Sequence, residues 1–217
     1  MLYRICLRRN GAESQESDNT LYLPALESLR TLIKTSTSSM TSVPKPLKFL
    51  RPHYDELGSI WQSWDKELKE QRVSHLFSAH SSSFMLTKQS LLASILSVLA
   101  MTYSDTGKRD TLYYRLISES SEAPGSWGHE YVRHLSAELG EEYTSRFTDE
   151  NDEKEANGRD YSTEQLRALA MELVDFNLKH NAEADAVDLL LELECIRELV
   201  DRVDDKTWPR VCQYMVK

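Results

Sequence analysis

Leu91-Leu92-Ala93-Ser94-Ile95-Leu96-Ser97-Val98-Leu99-Ala100-Met101-Thr102-Tyr103 is the stretch on which the fold turns. Its apolar residues lie on nearly every side of a helix, with Ala93, Ser94, Ser97 and Ala100 as the small ones. A helix apolar all round sits in the middle of a packed array, because no face of it can meet water. The run falls short of the about 20 apolar residues needed to span a bilayer, so it reads as a core helix. Ser104-Asp105-Thr106-Gly107 ends it, and Leu112, Tyr113, Leu116 and Ile117 mark a second helix, Arg109 to Ser118, that turns back.

Working outward, the same helical period recurs. On the N-terminal side, Asp18-Asn19-Thr20 offers capping oxygens for a helix carrying Tyr22, Leu26, Leu29 and Ile33, with Pro24 tolerated in its first turn. Val43-Pro44-Lys45-Pro46 reads as an extended corner, and Leu57, Ile60, Trp61, Trp64 and Leu68 form the next apolar face. Residues 71–90 are polar, serine-rich and without a clear period, and read as an inserted loop. On the C-terminal side, Trp127, Tyr131, Leu135, Leu139, Tyr143 and Phe147 recur at every fourth position of a longer helix. Ser162-Thr163-Glu164-Gln165 opens another with capping-box chemistry and a face of Leu166, Leu169, Ala170, Leu173 and Val174. Ala182 to Leu193 and Asp204 to Met215 complete the series, with Trp208 and Pro209 in the last helix's first turns.

The expected fold is therefore all-α, an irregular α-solenoid-like array of antiparallel helices. Seven glycines and six prolines in 217 residues are too few for a sandwich or barrel. The expected organisation is a disordered tail over 1–18, a helical block over 19–148, an acidic linker over 149–161, and the start of a second block over 162–217. Asp149-Glu150-Asn151-Asp152-Glu153-Lys154-Glu155 supplies the linker's charge.

Net charge is −9, which excludes a nucleic-acid binder for want of a positive footprint. Lys45, Lys48 and Arg51 form a small basic cluster, read as a solvated edge. Cys6, Cys195 and Cys212 make no CxxC pair, and an odd thiol belongs to a reducing compartment. With no secretory signal and no membrane span expected, the chain reads as soluble and intracellular.

Tests for chemistry give no catalytic, cofactor-binding or metal residue. Gly128-His129-Glu130-Tyr131-Val132-Arg133-His134 resembles the H-E-x-x-H zinc motif, but its histidines are five apart. That rotates them roughly 140° from one another on a regular helix, so they cannot share an ion. Cys195, between Glu194 and Ile196, and Cys212 read as structural thiols rather than nucleophiles. Glu141-Glu142 and Asp204-Asp205 read as surface carboxylates. The expectation is a protein that is not an enzyme and needs no cofactor.

Longer strings carry a family resemblance. Residues 38–52, Ser-Ser-Met-Thr-Ser-Val-Pro-Lys-Pro-Leu-Lys-Phe-Leu-Arg-Pro, resemble a segment of the largest-class non-ATPase scaffold subunit of the 26S proteasome regulatory particle, the base subunit bearing proteasome/cyclosome repeats. The resemblance continues through Ile95 to Ser104, Trp127 to Tyr131, Lys179 to Glu192 and Arg210 to Met215, in family order. It implies a non-catalytic regulatory scaffold supporting ATP-dependent degradation of ubiquitinated proteins, in cytoplasm and nucleus. The implied partners are ATPase-ring subunits and other regulatory-particle subunits. Ubiquitin and ubiquitin-like shuttle receptors would be met only through a repeat toroid that the chain does not include. No nucleic acid or membrane is implied. Residues 1–17 and 71–90 depart from the family pattern. The other readings are a generic helical-repeat adaptor, or a truncated isoform that does not assemble.

Overall fold

The computed structural model describes residues 22–36, 45–73, 79–106, 108–148 and 161–216. Nine α-helices occur among them: α1 (Tyr22–Thr35), α2 (Lys45–Leu50), α3 (Tyr54–Val73), α4 (Ala79–Ala100), α5 (Asp110–Ile117), α6 (His129–Thr148), α7 (Thr163–Lys179), α8 (Glu183–Glu192) and α9 (Trp208–Met215). Short 3₁₀ turns at Arg51–His53, Met101–Thr106, Pro124–Trp127 and Ile196–Leu199 link several of them. The described residues contain no strand, and the all-α expectation holds.

The decisive stretch behaves as its composition demands. Every residue from Leu92 to Met101 is buried, the two serines included. Helix α4 is the hub of the first part, with α1, α3 and α5 packed against it. Its serines avoid the cost of burial by bonding backbone: Ser94 Oγ donates to Ser90 O at 3.0 Å, and Ser97 Oγ to Thr111 O at 2.7 Å. The second part continues as α5 on α6, α6 on α7 and α8, α7 on α8, and α8 on α9. One apolar cluster runs from Leu26 to Val211, so residues beyond 162 share a core with those before 148.

Four expectations are corrected. The loop expected over 71–90 is largely helix: α3 extends to Val73 and α4 begins at Ala79, not Leu91. The stretch has no glycine or proline to stop a helix growing back from the buried run. Met85, Lys88 and Leu92 are all buried at helical spacing, and the lysine hides the stripe. The lengthened helix contains a 20-residue span, Phe84–Tyr103, long and apolar enough to cross a membrane, against the expectation that the run is too short. That span is 67% buried within the protein, which is what a core helix requires.

Pro46 does not sit in an extended corner but at the second position of α2, where a missing N–H costs no helical hydrogen bond. The last helix starts at Trp208 rather than Asp204. Asp204 instead builds a turn, its Oδ1 accepting from the N–H groups of Lys206 and Thr207 at 3.0 and 2.8 Å. Cys195 lies just past α8, after Glu194 at a positive φ of 54°. The tail over 1–18, the linker run 149–160 and Cys6 lie outside the described residues.

The expected capping box at α7 forms in full: Gln165 N donates to Ser162 Oγ at 3.2 Å, and Ser162 N donates to Gln165 Oε1 at 2.7 Å. Gly128, at φ 101°, makes the sharp step from the Pro124–Trp127 turn into α6. A side chain there would be strained, so glycine is required.

Candidate functional site

The strongest sequence candidate for chemistry, the His129–His134 pair, is split by the helix it sits on. His129 faces α7, its ring 4.9 Å from Phe176 and 4.8 Å from His180, edge to face. His180 stacks on Phe176 at 4.0 Å, and its Nδ1 donates to the Phe176 carbonyl at 2.7 Å. His134 instead bonds Glu138 through Nε2 at 3.0 Å. Burial, followed by the neighbouring His180, holds the His129 imidazole below its ordinary value of 6.5. Among the described residues no group of three His, Cys, Asp or Glu side chains is placed to hold a metal ion. Cys195 is buried and Cys212 half-buried, and burial pushes the Cys195 thiol up, away from the thiolate a nucleophile needs.

Of the four carboxylates expected on the surface, Glu141, Asp204 and Asp205 are exposed. Glu142, expected on the surface, is 1% exposed and lies between two arginines. Arg109 Nη1 donates to its Oε2 at 2.6 Å, and Arg146 Nε to its Oε1 at 2.8 Å. The Arg146 guanidinium also lies 4.9 Å from the centre of the Tyr161 ring and donates through Nη2 to the Tyr161 carbonyl at 3.3 Å. One buried carboxylate thus joins the approach to α5, the body of α6 and the entry to α7. One turn earlier, Glu138 Oε2 accepts from Leu112 N at 2.8 Å. Residue 112 is the third of α5, whose first N–H groups have no helical partner, so α6 caps α5 in trans.

Other buried polar groups are spent the same way. Tyr131 OH donates to Ser97 Oγ at 2.7 Å, since that serine already donates to Thr111. Burial pushes the Tyr131 phenol up to about 12. Lys88, fully buried, holds its ammonium 4.3 Å from the Trp64 ring and 5.9 Å from Tyr22, and desolvation lowers its pKa. Glu183 accepts from Arg210 Nε at 2.6 Å, which ties α9 to the start of α8.

With the interior committed to holding helices, the exterior is where partners can be met. Two exposed apolar groups stand out. Phe49, on α2, is 78% exposed among Lys45, Lys48 and Arg51. Trp208, Met215 and Val216 are exposed on and just after α9. Sequence reasoning registered the cations of the first group but passed over its aromatic. The signal was present: Leu47 and Leu50 claim the inward face of α2, which leaves Phe49 pointing out.

As a class, this is an all-helical domain with a continuous apolar core and exposed apolar side chains on α2 and α9. Residues 11–217 match the family described as RPN1 N-terminal domain, and the chain belongs to that family. It is 50% identical over 201 residues to the 26S proteasome regulatory subunit rpn-1 of Neurospora crassa, 46% over 216 residues to the 26S proteasome regulatory subunit RPN1 of Candida glabrata, and 45% over 202 residues to the 26S proteasome non-ATPase regulatory subunit 2 homolog B of Arabidopsis thaliana. Each match covers 93% of this chain and 19% of the relative, so the chain spans about a fifth of the length of the proteins it resembles.

Proposed function

We propose that this chain serves as a non-catalytic helical scaffold element of the 26S proteasome regulatory particle, supporting ATP-dependent degradation of ubiquitinated proteins in cytoplasm and nucleus. The observation that carries the reading is the family match over residues 11–217, joined by identities of 42–50% to proteasome regulatory subunits of fungi and a plant. The buried ionic contacts agree with it. Glu138, Glu142, Glu183 and Lys88 each fasten one helix to another, which is what a rigid mount needs. The proposed partners are ATPase-ring subunits and neighbouring regulatory-particle subunits.

The test is affinity purification of the tagged 217-residue chain from cells, followed by identification of the proteins recovered. Regulatory-particle subunits, ATPases among them, are expected in stoichiometric amounts. Recovery of a folded chain with no proteasome subunit would refute the proposal and favour the generic adaptor or a non-assembling isoform.

A further inference from the structure

The exposed face of α2 combines cations with a large aromatic side chain. Leu47 and Leu50 are buried and anchor the helix. Lys45, Lys48 and Phe49 are all exposed, at the i, i+3 and i+4 spacing that places them on one outer face. Arg51 follows in the 3₁₀ turn, exposed, its guanidinium 4.9 Å from the centre of the Tyr103 ring. Tyr103 OH in turn donates to the Arg51 carbonyl, so this cation is held in place from both ends.

Arg30, Lys34, Arg109, Arg146 and Arg210 all meet carboxylates. Among the described residues, no carboxylate lies within ion-pair distance of Lys45, Lys48 or Arg51. Lys108, Lys179, Arg197 and Lys206 are also exposed without an ion pair among the described residues, but they are scattered along the chain, whereas Lys45, Lys48 and Arg51 fall within seven residues. The sequence has no Asp or Glu between Glu27 and Asp55, although the chain as a whole carries −9. The nearest following acid with a partner, Glu56, is turned to His53 at 3.5 Å. Phe49 is the most exposed aromatic among the described residues, and its neighbours in sequence, Lys45, Lys48 and Arg51, are three cations that meet no carboxylate among those residues.

We infer that the Lys45–Lys48–Phe49–Arg51 face is a docking site for a short acidic segment of a partner protein, one with an apolar residue set among its carboxylates. The apolar residue covers the Phe49 ring while the carboxylates take the cations. Charge complementarity points to a short acidic segment rather than a polyanion. Three cations neutralise few phosphates, and a nucleic acid or anionic bilayer is broad enough to feel the acidic remainder of the chain. A short segment stays within about 8 Å of the patch, one screening length at physiological salt, and avoids that repulsion. The inference stands on this patch alone, and holds whichever assembly the chain joins.

The test uses the full 217-residue chain and a fluorescein-labelled peptide of alternating glutamates around a central leucine pair, read by fluorescence anisotropy. Saturable binding is expected, weakened by about tenfold or more in Phe49→Ser and in Lys45→Glu/Lys48→Glu, as for loss of a central anchor. Peptides with glutamine for glutamate, or serine for leucine, are each expected to lose the same order of affinity. Helicity by circular dichroism should be unchanged in both variants, because the altered side chains face solvent. Arg51→Glu provides a further variant should either of them lose helix. The inference is overturned if the peptide fails to bind, if the variants bind as tightly as the parent, or if the leucine-free peptide binds equally well. Sedimentation showing a dimer that Phe49→Ser disperses would also overturn it, in favour of a second copy. Retention on phosphatidylserine vesicles that Lys45→Glu/Lys48→Glu abolishes would overturn it in favour of a membrane.

Discussion

Replacing Glu142 puts the buried ionic joint under direct test. Glu142→Ala leaves Arg109 and Arg146 without the carboxylate they share, and removing one partner of a buried pair costs about 3–5 kcal/mol. The arginine side chains are 25% and 16% exposed, so water can partly rehydrate them, and the lower end, about 3 kcal/mol, is the expected loss. For a chain of this size that corresponds to a fall in Tm of roughly 6–12 °C. Glu142→Gln keeps the shape and one neutral acceptor, and should lose about half as much, since hydrogen bonds to a charge are roughly twice as strong as neutral ones. Glu141→Gln, at a neighbouring carboxylate that is 68% exposed, is the control and should change stability by less than about 0.5 kcal/mol. Urea denaturation followed by circular dichroism measures all three. If Glu142→Ala behaves like the Glu141 control, the joint does not hold the array together and the reasoning fails.

Gly125→Ala places a methyl 2.2 Å from the Phe176 ring, which is already packed against His129 and His180, so about 1–3 kcal/mol of overpacking is expected in the same denaturation assay. Below the ordinary histidine value of 6.5, the unfolded chain binds a proton that folded His129 resists, so stability should fall as pH drops from 6.5 toward the lowered folded value and then level off. His129→Phe should flatten that fall, and an unchanged pH profile would exclude His129 as its source. A thiol reagent added to the native chain should modify Cys212 well before Cys195, with the order confirmed by peptide mapping and lost in denaturant.

The helices were legible where apolar spacing was undiluted. The α3 face of Leu57, Trp61, Trp64 and Leu68 is buried as its spacing requires, and so is the α7 face from Leu166 to Val174. What escaped notice were polar residues in apolar positions. Lys88 interrupts the apolar spacing of its helix, yet two aromatic faces accept its charge in the interior. Glu142 looked like half of a surface pair, because its partners come from α5's approach, 33 residues earlier, and from one turn further along α6. No local reading finds a partner at that distance. Pro46 failed for the opposite reason: two prolines suggested a corner, whereas the second is compatible with a helix's first turn. Of the exterior candidates, the cations of α2 were visible in the sequence, but Phe49 gains meaning only once Leu47 and Leu50 are seen to point inward.

The grip of Arg146 on Tyr161 has an evolutionary consequence. Ring and carbonyl of residue 161 are fastened to a residue 15 positions earlier, so the two chain ends flanking residues 149–160 are pinned side by side by contacts outside that segment. The entropic cost of closing a loop rises by only about 0.6 kcal/mol for each doubling of its length. Lengthening or shortening this stretch should therefore leave the register of α6 against α7 untouched. A tag or reporter threaded in between residues 148 and 161 should leave the core as tight as before, because the hold of Arg146 on Tyr161 does not depend on what lies between them.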